Sequence, residues 1–119
     1  MKPENSDYKT KREILMELHN DMFIQCRDIM IAKNADYSGS SGDPFSNFRI
    51  AEVFGMHPVD GIILRTTDKL QRIKSYISKG KLEVRNEGFE DACRDIINYM
   101  ILIMGIINDD LLKKSQSQP

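Results

Sequence analysis

Cysteine is scarce in this 119-residue chain: only Cys26 and Cys93, each inside an apolar helical pattern. So low a count excludes the disulfide framework that staples small secreted domains. It predicts two reduced, buried thiols; a bridge would need two helices packed side by side at that height. An excess of charge of one sign is missing too. Seventeen basic residues face eighteen acidic ones, and the basic ones are spread along the chain. No strong field therefore draws it to nucleic acid or to an anionic membrane. The longest apolar run, "MILIMGII", has eight residues, far short of the roughly 20 that span a bilayer. Residues 1–13 are polar, so no secretory signal is expected at the start. The expectation is a soluble, cytoplasmic protein with no membrane partner and no direct nucleic-acid contact.

Familiar catalytic patterns are also lacking. His19 and His57 have no metal-ligand spacing with any partner, and both read as structural or solvent-exposed. No Ser/His/Asp or Cys/His arrangement stands out. "SGSSG" has no strand before it, so it reads as a hinge rather than a phosphate cradle. No run alternates with period two for long enough to predict a strand.

Helical periodicity, by contrast, covers most of the chain. Apolar residues at steps of three and four predict a helix over residues 9–34, with Thr10 and Glu13 placed for a capping box. A short helix is predicted from Ser46, its cap, to Phe54, with Gly55 as its stop. A third begins at Pro58 or Val59 and ends before Gly80. The last runs from Glu87 to Lys113 and is apolar on most faces in its middle, so it is expected at the centre. Gly105 within it predicts a close approach of another helix. The fold class is all-α: one four-to-five-helix domain over residues 9–113, with polar tails at 1–8 and 114–119. The last helix is too apolar for a monomer of this size to cover, which predicts a homo-oligomer.

Two polar ridges interrupt the apolar pattern. Glu87, Asp91, Asp95 and Asn98 fall at steps of four, four and three, one face of a helix. Like charges so stacked repel, unless the stripe is solvated or a cation lies against it. Arg65, Asp68, Lys69 and Arg72 form a second ridge on the third helix. Guanidiniums grip phosphate with a planar fork, and carboxylates with substrate phosphates are the usual donors to Mg²⁺. Facing ridges of this kind can hold a metal and a polyphosphate together. The plainer alternative is solvated acids and ion pairs, whether within the helix or at a subunit interface.

Three segments in order, "KNADYSGSSGDPFSNF", "GIILRTTDKLQRI" and "EGFEDACRDIINYMILI", resemble the phage and bacterial family called nucleotide modification associated domain 1. That family in turn is similar to the MazG-like all-α nucleoside triphosphate pyrophosphatases. The resemblance covers residues 30–105. It implies a Mg²⁺-dependent pyrophosphohydrolase acting on a deoxynucleoside triphosphate or a modified nucleotide, in the host cytoplasm if phage-encoded. It implies metal ligation by Asp68, Glu87, Asp91 and Asp95, catalysis by Glu87 and Asp91, and phosphate neutralisation by Arg65, Lys69 and Arg72. Asn98 matches the end of the acid helix. Where the MazG-like group bears two glutamates three apart, this chain has Asp68 and Gln71. That departure motivates an alternative, a non-catalytic nucleotide binder that sequesters a host defence signal.

The glycine- and serine-rich stretch at 35–48 is then expected to cover the ligand. Tyr37, Asn47 and Phe48 would contact base or sugar, with Lys33 and Asp36 at the hinge. Phe45 is expected to pin the stretch to the core.

Overall fold

In the computed structural model the described residues are 8–38, 42–79 and 87–117. Among them there are helices and turns and no strand. Helix α1 spans Lys11–Ser38, α2 Ser46–Arg49, α3 Pro58–Ser78 and α4 Glu87–Ser117, with a 3₁₀ segment at Ile50–Phe54.

Local chemistry sets most of the boundaries. The backbone N–H of Glu13 donates to Thr10 Oγ1 at 3.1 Å, capping α1. The helix continues past residue 34 to Ser38, because no breaker occurs before Gly39. Ser46 does not cap α2. Asp43 Oδ1 accepts from the N–H of Phe45 at 2.8 Å, so an Asx turn launches the helix instead. Gly55 closes the 3₁₀ segment at φ +74°, a left-handed conformation suited to glycine. His57 Nδ1 accepts from the N–H of Val59 and caps α3, with Pro58 in its first turn. Helix α4 runs unbroken through Gly105 to Ser117, four residues into the expected tail.

Helices α3 and α4 lie antiparallel, with Lys69 opposite Asp95 and Tyr76 opposite Phe89. Phe48, Ile62, Leu102 and Ile106 form the core, with Met30, Phe45, Val59, Tyr99 and Ile103 packed around them. Ile62 and Ile106 are fully buried, each contributing about 2–3 kcal/mol by removal from water. Phe45 pins its loop as expected. A Cβ on Gly105 would lie 2.8 Å from Cζ of its ring, so the close approach there is by a side chain.

Burial stops soon after this. Cys26 is the only buried residue among those of α1 whose side chains are described. The molecule measures 68 × 34 × 24 Å with a radius of gyration of 19.1 Å, against about 13.5 Å for a compact chain of this length.

Candidate functional site: a charged cleft between three helices

The antiparallel α3–α4 pair carries one polar ridge across the other, and the C-terminal half of α1 closes the third side. The acid ridge descends from solvent to core. Asp91 is exposed, Asp95 is partly buried, and Asn98 is 5% exposed. Lys69 Nζ lies 2.9 Å from Asp95 Oδ2, and Lys33 Nζ lies 3.7 Å from Oδ1 of the same carboxylate. Arg94 binds with its whole fork: Nε to Gln25 Oε1 at 2.8 Å, Nη1 to Asp91 Oδ1 at 2.9 Å and Nη2 to Glu90 Oε2 at 3.3 Å.

A cleft of about 390 Å³ opens among these groups. Lys33, Lys69, Arg72 and Arg94 line it together with Asp91 and Asp95, and Ile29 and Ala92 add apolar surface. Its lining carries four cations and two carboxylates, and Asp68 and Glu90 just beyond it pair with Arg72 and Arg94.

The expected site residues are distributed unevenly. Lys33, Lys69, Arg72, Asp91 and Asp95 share the cleft. Asp68 lies beyond it, in an adjoining hollow, with its Oδ2 3.4 Å from Arg72 Nε. The Arg65 guanidinium sits over the Phe48 ring, 5.5 Å from its centroid, and Phe48 itself belongs to the core. Asn98 Nδ2 donates to the carbonyl of Cys26 at 3.0 Å, a tie between α4 and α1. Asp36 is exposed on the last turn of α1, where Tyr37 follows it, and Asn47 is exposed on α2. The side chains of Tyr37 and Glu87, and residues 39–41 of the expected cover, lie outside the described residues. The flanks of that cover are α1 on one side and the anchored Phe45 turn on the other.

Of the four acids expected to hold Mg²⁺, the side chain of Glu87 lies outside the described residues. Among the described residues no three His, Cys, Asp or Glu side chains are grouped to hold a metal ion. Asp68, Asp91 and Asp95 are each engaged by a cation.

Two arginines carry weight that sequence reading did not assign. Arg94 was legible in outline, since Glu90 and Asp91 precede it by four and three residues on one helix. Arg49 was not. It joins α2 to the end of α4, 2.7 Å from Asp109 and 2.9 Å from Asp110, and also pairs with Glu52. Its hydrogen bond holds the Asp109 carboxyl below the ordinary range. Burial would lower the guanidinium's own pKa, but its hydrogen bonds to Asp110, Glu52 and Asp109 outweigh that and raise it. Both cysteines are free, and burial pushes both thiols up.

No described helix is long and apolar enough to cross a membrane. Comparison with protein-family models, with curated proteins and with solved structures finds no match to this chain.

Proposed function

We propose that this protein binds a nucleotide, with the phosphates held in the cleft among α1, α3 and α4. The observation that carries the reading is the convergence of Lys33, Lys69, Arg72 and Arg94 on one cleft. Asp95 orients the two lysines and Asp91 helps orient Arg94. An entering phosphate exchanges these internal partners for its own oxygens. The resemblance to nucleotide modification associated domain 1 and to the MazG-like enzymes favours a nucleotide over other anions. Binding without chemistry leads, because each acid described near the cleft already has a cationic partner. Pyrophosphohydrolase activity is the second reading, supported by Asp91 and Asp95 standing one helical turn apart in the same cleft.

Calorimetry with nucleoside triphosphates and cyclic nucleotides, in Mg²⁺ and in EDTA, tests both, alongside an assay for released pyrophosphate. Binding that persists in EDTA without product supports the binder. Product release that requires Mg²⁺ supports the hydrolase. No binding by any of these ligands overturns the reading.

We further propose that the working form is a homo-oligomer. Leu15, Leu18 and Phe23 of α1 and Ile101, Met104 and Leu111 of α4 are all more than half exposed. Isolated helices are marginal in water, and most helical stability in proteins comes from packing an apolar face. The accessible surface is 9376 Å², against about 6,600 Å² for a compact chain of this mass.

A further inference from the structure

The cationic cleft does not end at Arg72. Arg72 and Gly88 also line the adjoining hollow, of about 360 Å³, which runs on between α3 and α4 away from Lys69. There Asp68 and Lys79 are joined in the walls by two aromatic rings and two neutral polar side chains. Tyr76 and Phe89 lie stacked, with ring centroids 4.7 Å apart and planes 17° from parallel. Gln71 and Ser75 beside them contribute an amide and a hydroxyl.

We propose that this hollow seats the nucleobase of the ligand whose phosphates occupy the cationic cleft. The inference rests on the nucleotide reading of that cleft and adds to it a direction and a recognition surface. A nucleotide is anionic at one end and flat, apolar-faced and amide-edged at the other. The groove is built in the same order.

Spacing along the helices agrees. Phe89 and Asp95 are six residues apart on α4, and Lys69 and Tyr76 seven apart on α3, or about 9–10.5 Å at the helical rise. That separates the two subsites by the reach of a sugar and a short phosphate chain. Gly88, at the junction, places no side chain in the passage. Arg72 stands between the subsites, where the phosphate nearest the sugar would lie. Aromatic faces accept any base, whereas the Gln71 amide offers both a donor and an acceptor to a base edge. Gln71 is therefore the residue positioned to choose among bases.

Calorimetry on the full chain with inorganic pyrophosphate and with the common ribonucleoside and deoxyribonucleoside triphosphates tests this. At least one nucleotide is expected to bind about tenfold or more tightly than pyrophosphate. Gln71→Ala and Phe89→Leu are expected to remove most of that advantage and to leave pyrophosphate affinity unchanged. Gln71 is exposed, so its variant keeps the test valid if Phe89→Leu fails to fold. If no nucleotide outbinds pyrophosphate, or if Gln71→Ala leaves nucleotide affinity intact or weakens both ligands alike, the base subsite falls and the phosphate cleft stands. If neither pyrophosphate nor any nucleotide binds the wild type, the cleft reading falls and this inference with it.

Discussion

Asn98 Nδ2 donates a 3.0 Å hydrogen bond to the backbone carbonyl of Cys26 across the α1–α4 contact. Among the described side chains, Cys26 is the one buried residue of α1 and Asn98 the one buried polar residue. This amide is the buried polar tie between the two helices, with the Arg94–Gln25 hydrogen bond and the Lys33–Asp95 pair nearer solvent. Asn98→Leu removes the donor and places a branched side chain against the Cys26 backbone. The expected loss is about 1–3 kcal/mol, read as a fall in the urea midpoint. Pyrophosphate affinity should change little, because Asn98 does not line the cleft. A variant as stable as the wild type would show that the tie contributes nothing.

Lys69→Met tests the cleft itself. The substitution keeps most of the side chain's length and removes the cation 2.9 Å from Asp95. Asp95 is left with the half-exposed Lys33 at 3.7 Å. Affinity for a phosphate ligand should fall about tenfold, or 1.4 kcal/mol, and its decline with added salt should become shallower. Unchanged affinity in calorimetry would remove Lys69 from the phosphate site.

Arg49→Met probes the α2–α4 clamp. Three carboxylates lose one partner, with an expected cost of about 1–3 kcal/mol at neutral pH. The pH dependence follows from Asp109, whose folded pKa is lowered chiefly by the Arg49 hydrogen bond. A lowered carboxylate stabilises the fold above its ordinary unfolded pKa, about 4. That share is lost as pH falls through the folded value. The wild type should therefore lose stability more steeply below about pH 4 than the variant does. Parallel curves in acid denaturation would contradict this account.

Much of this fold was legible from local signals. Thr10, Gly55 and Pro58 mark boundaries through capping, a left-handed stop and a first-turn proline, all decided within a few residues. The ends of α1 and α4 were not, because Asp36, Tyr37 and the polar residues after Lys113 favour neither state strongly. At the site, helical spacing grouped Asp91 with Asp95 and Lys69 with Arg72, and the antiparallel pairing of α3 and α4 brought the two ridges together. Spacing gives the face of a helix but not how deeply that face is buried. Hence Asn98 lies on the acid ridge yet points into the α1–α4 contact, and Phe48 serves the core. Arg49 is found only through Asp109 and Asp110, some sixty residues away, a tertiary contact that no local pattern encodes.

Gly105→Ala separates helix propensity from packing. In an exposed helix the change gains up to about 1 kcal/mol. Here the new methyl would lie 2.8 Å from Cζ of Phe45, whose ring is packed against the core. Overpacking of this kind costs about 1–3 kcal/mol, so the net effect should be destabilising. Phe45→Leu shortens the ring that the methyl meets. In the double variant the two losses should add to less than their sum, with a coupling of about 1 kcal/mol or more. Simple additivity in denaturant melts would mean that the ring moves aside freely.

The uncovered helices make the strongest claim about the protein in solution. Leu15, Leu18, Met22 and Phe23 of α1 surround a hollow of about 520 Å³ with Ile97 of α4. In the proposed homo-oligomer this hollow would seat the corresponding apolar residues of a second copy, since a symmetric pair presents the same patch on both sides. Light scattering should report at least twice the 13.7 kDa of one chain. The pair Leu18→Glu and Phe23→Glu places charge on that patch and should shift the mass toward one chain. It should also lower helicity, because α1 loses the surface it packs against. A wild type that stays at the mass of one chain as concentration rises would refute the oligomer. Full helicity in the charged variant would show that α1 stands without a partner.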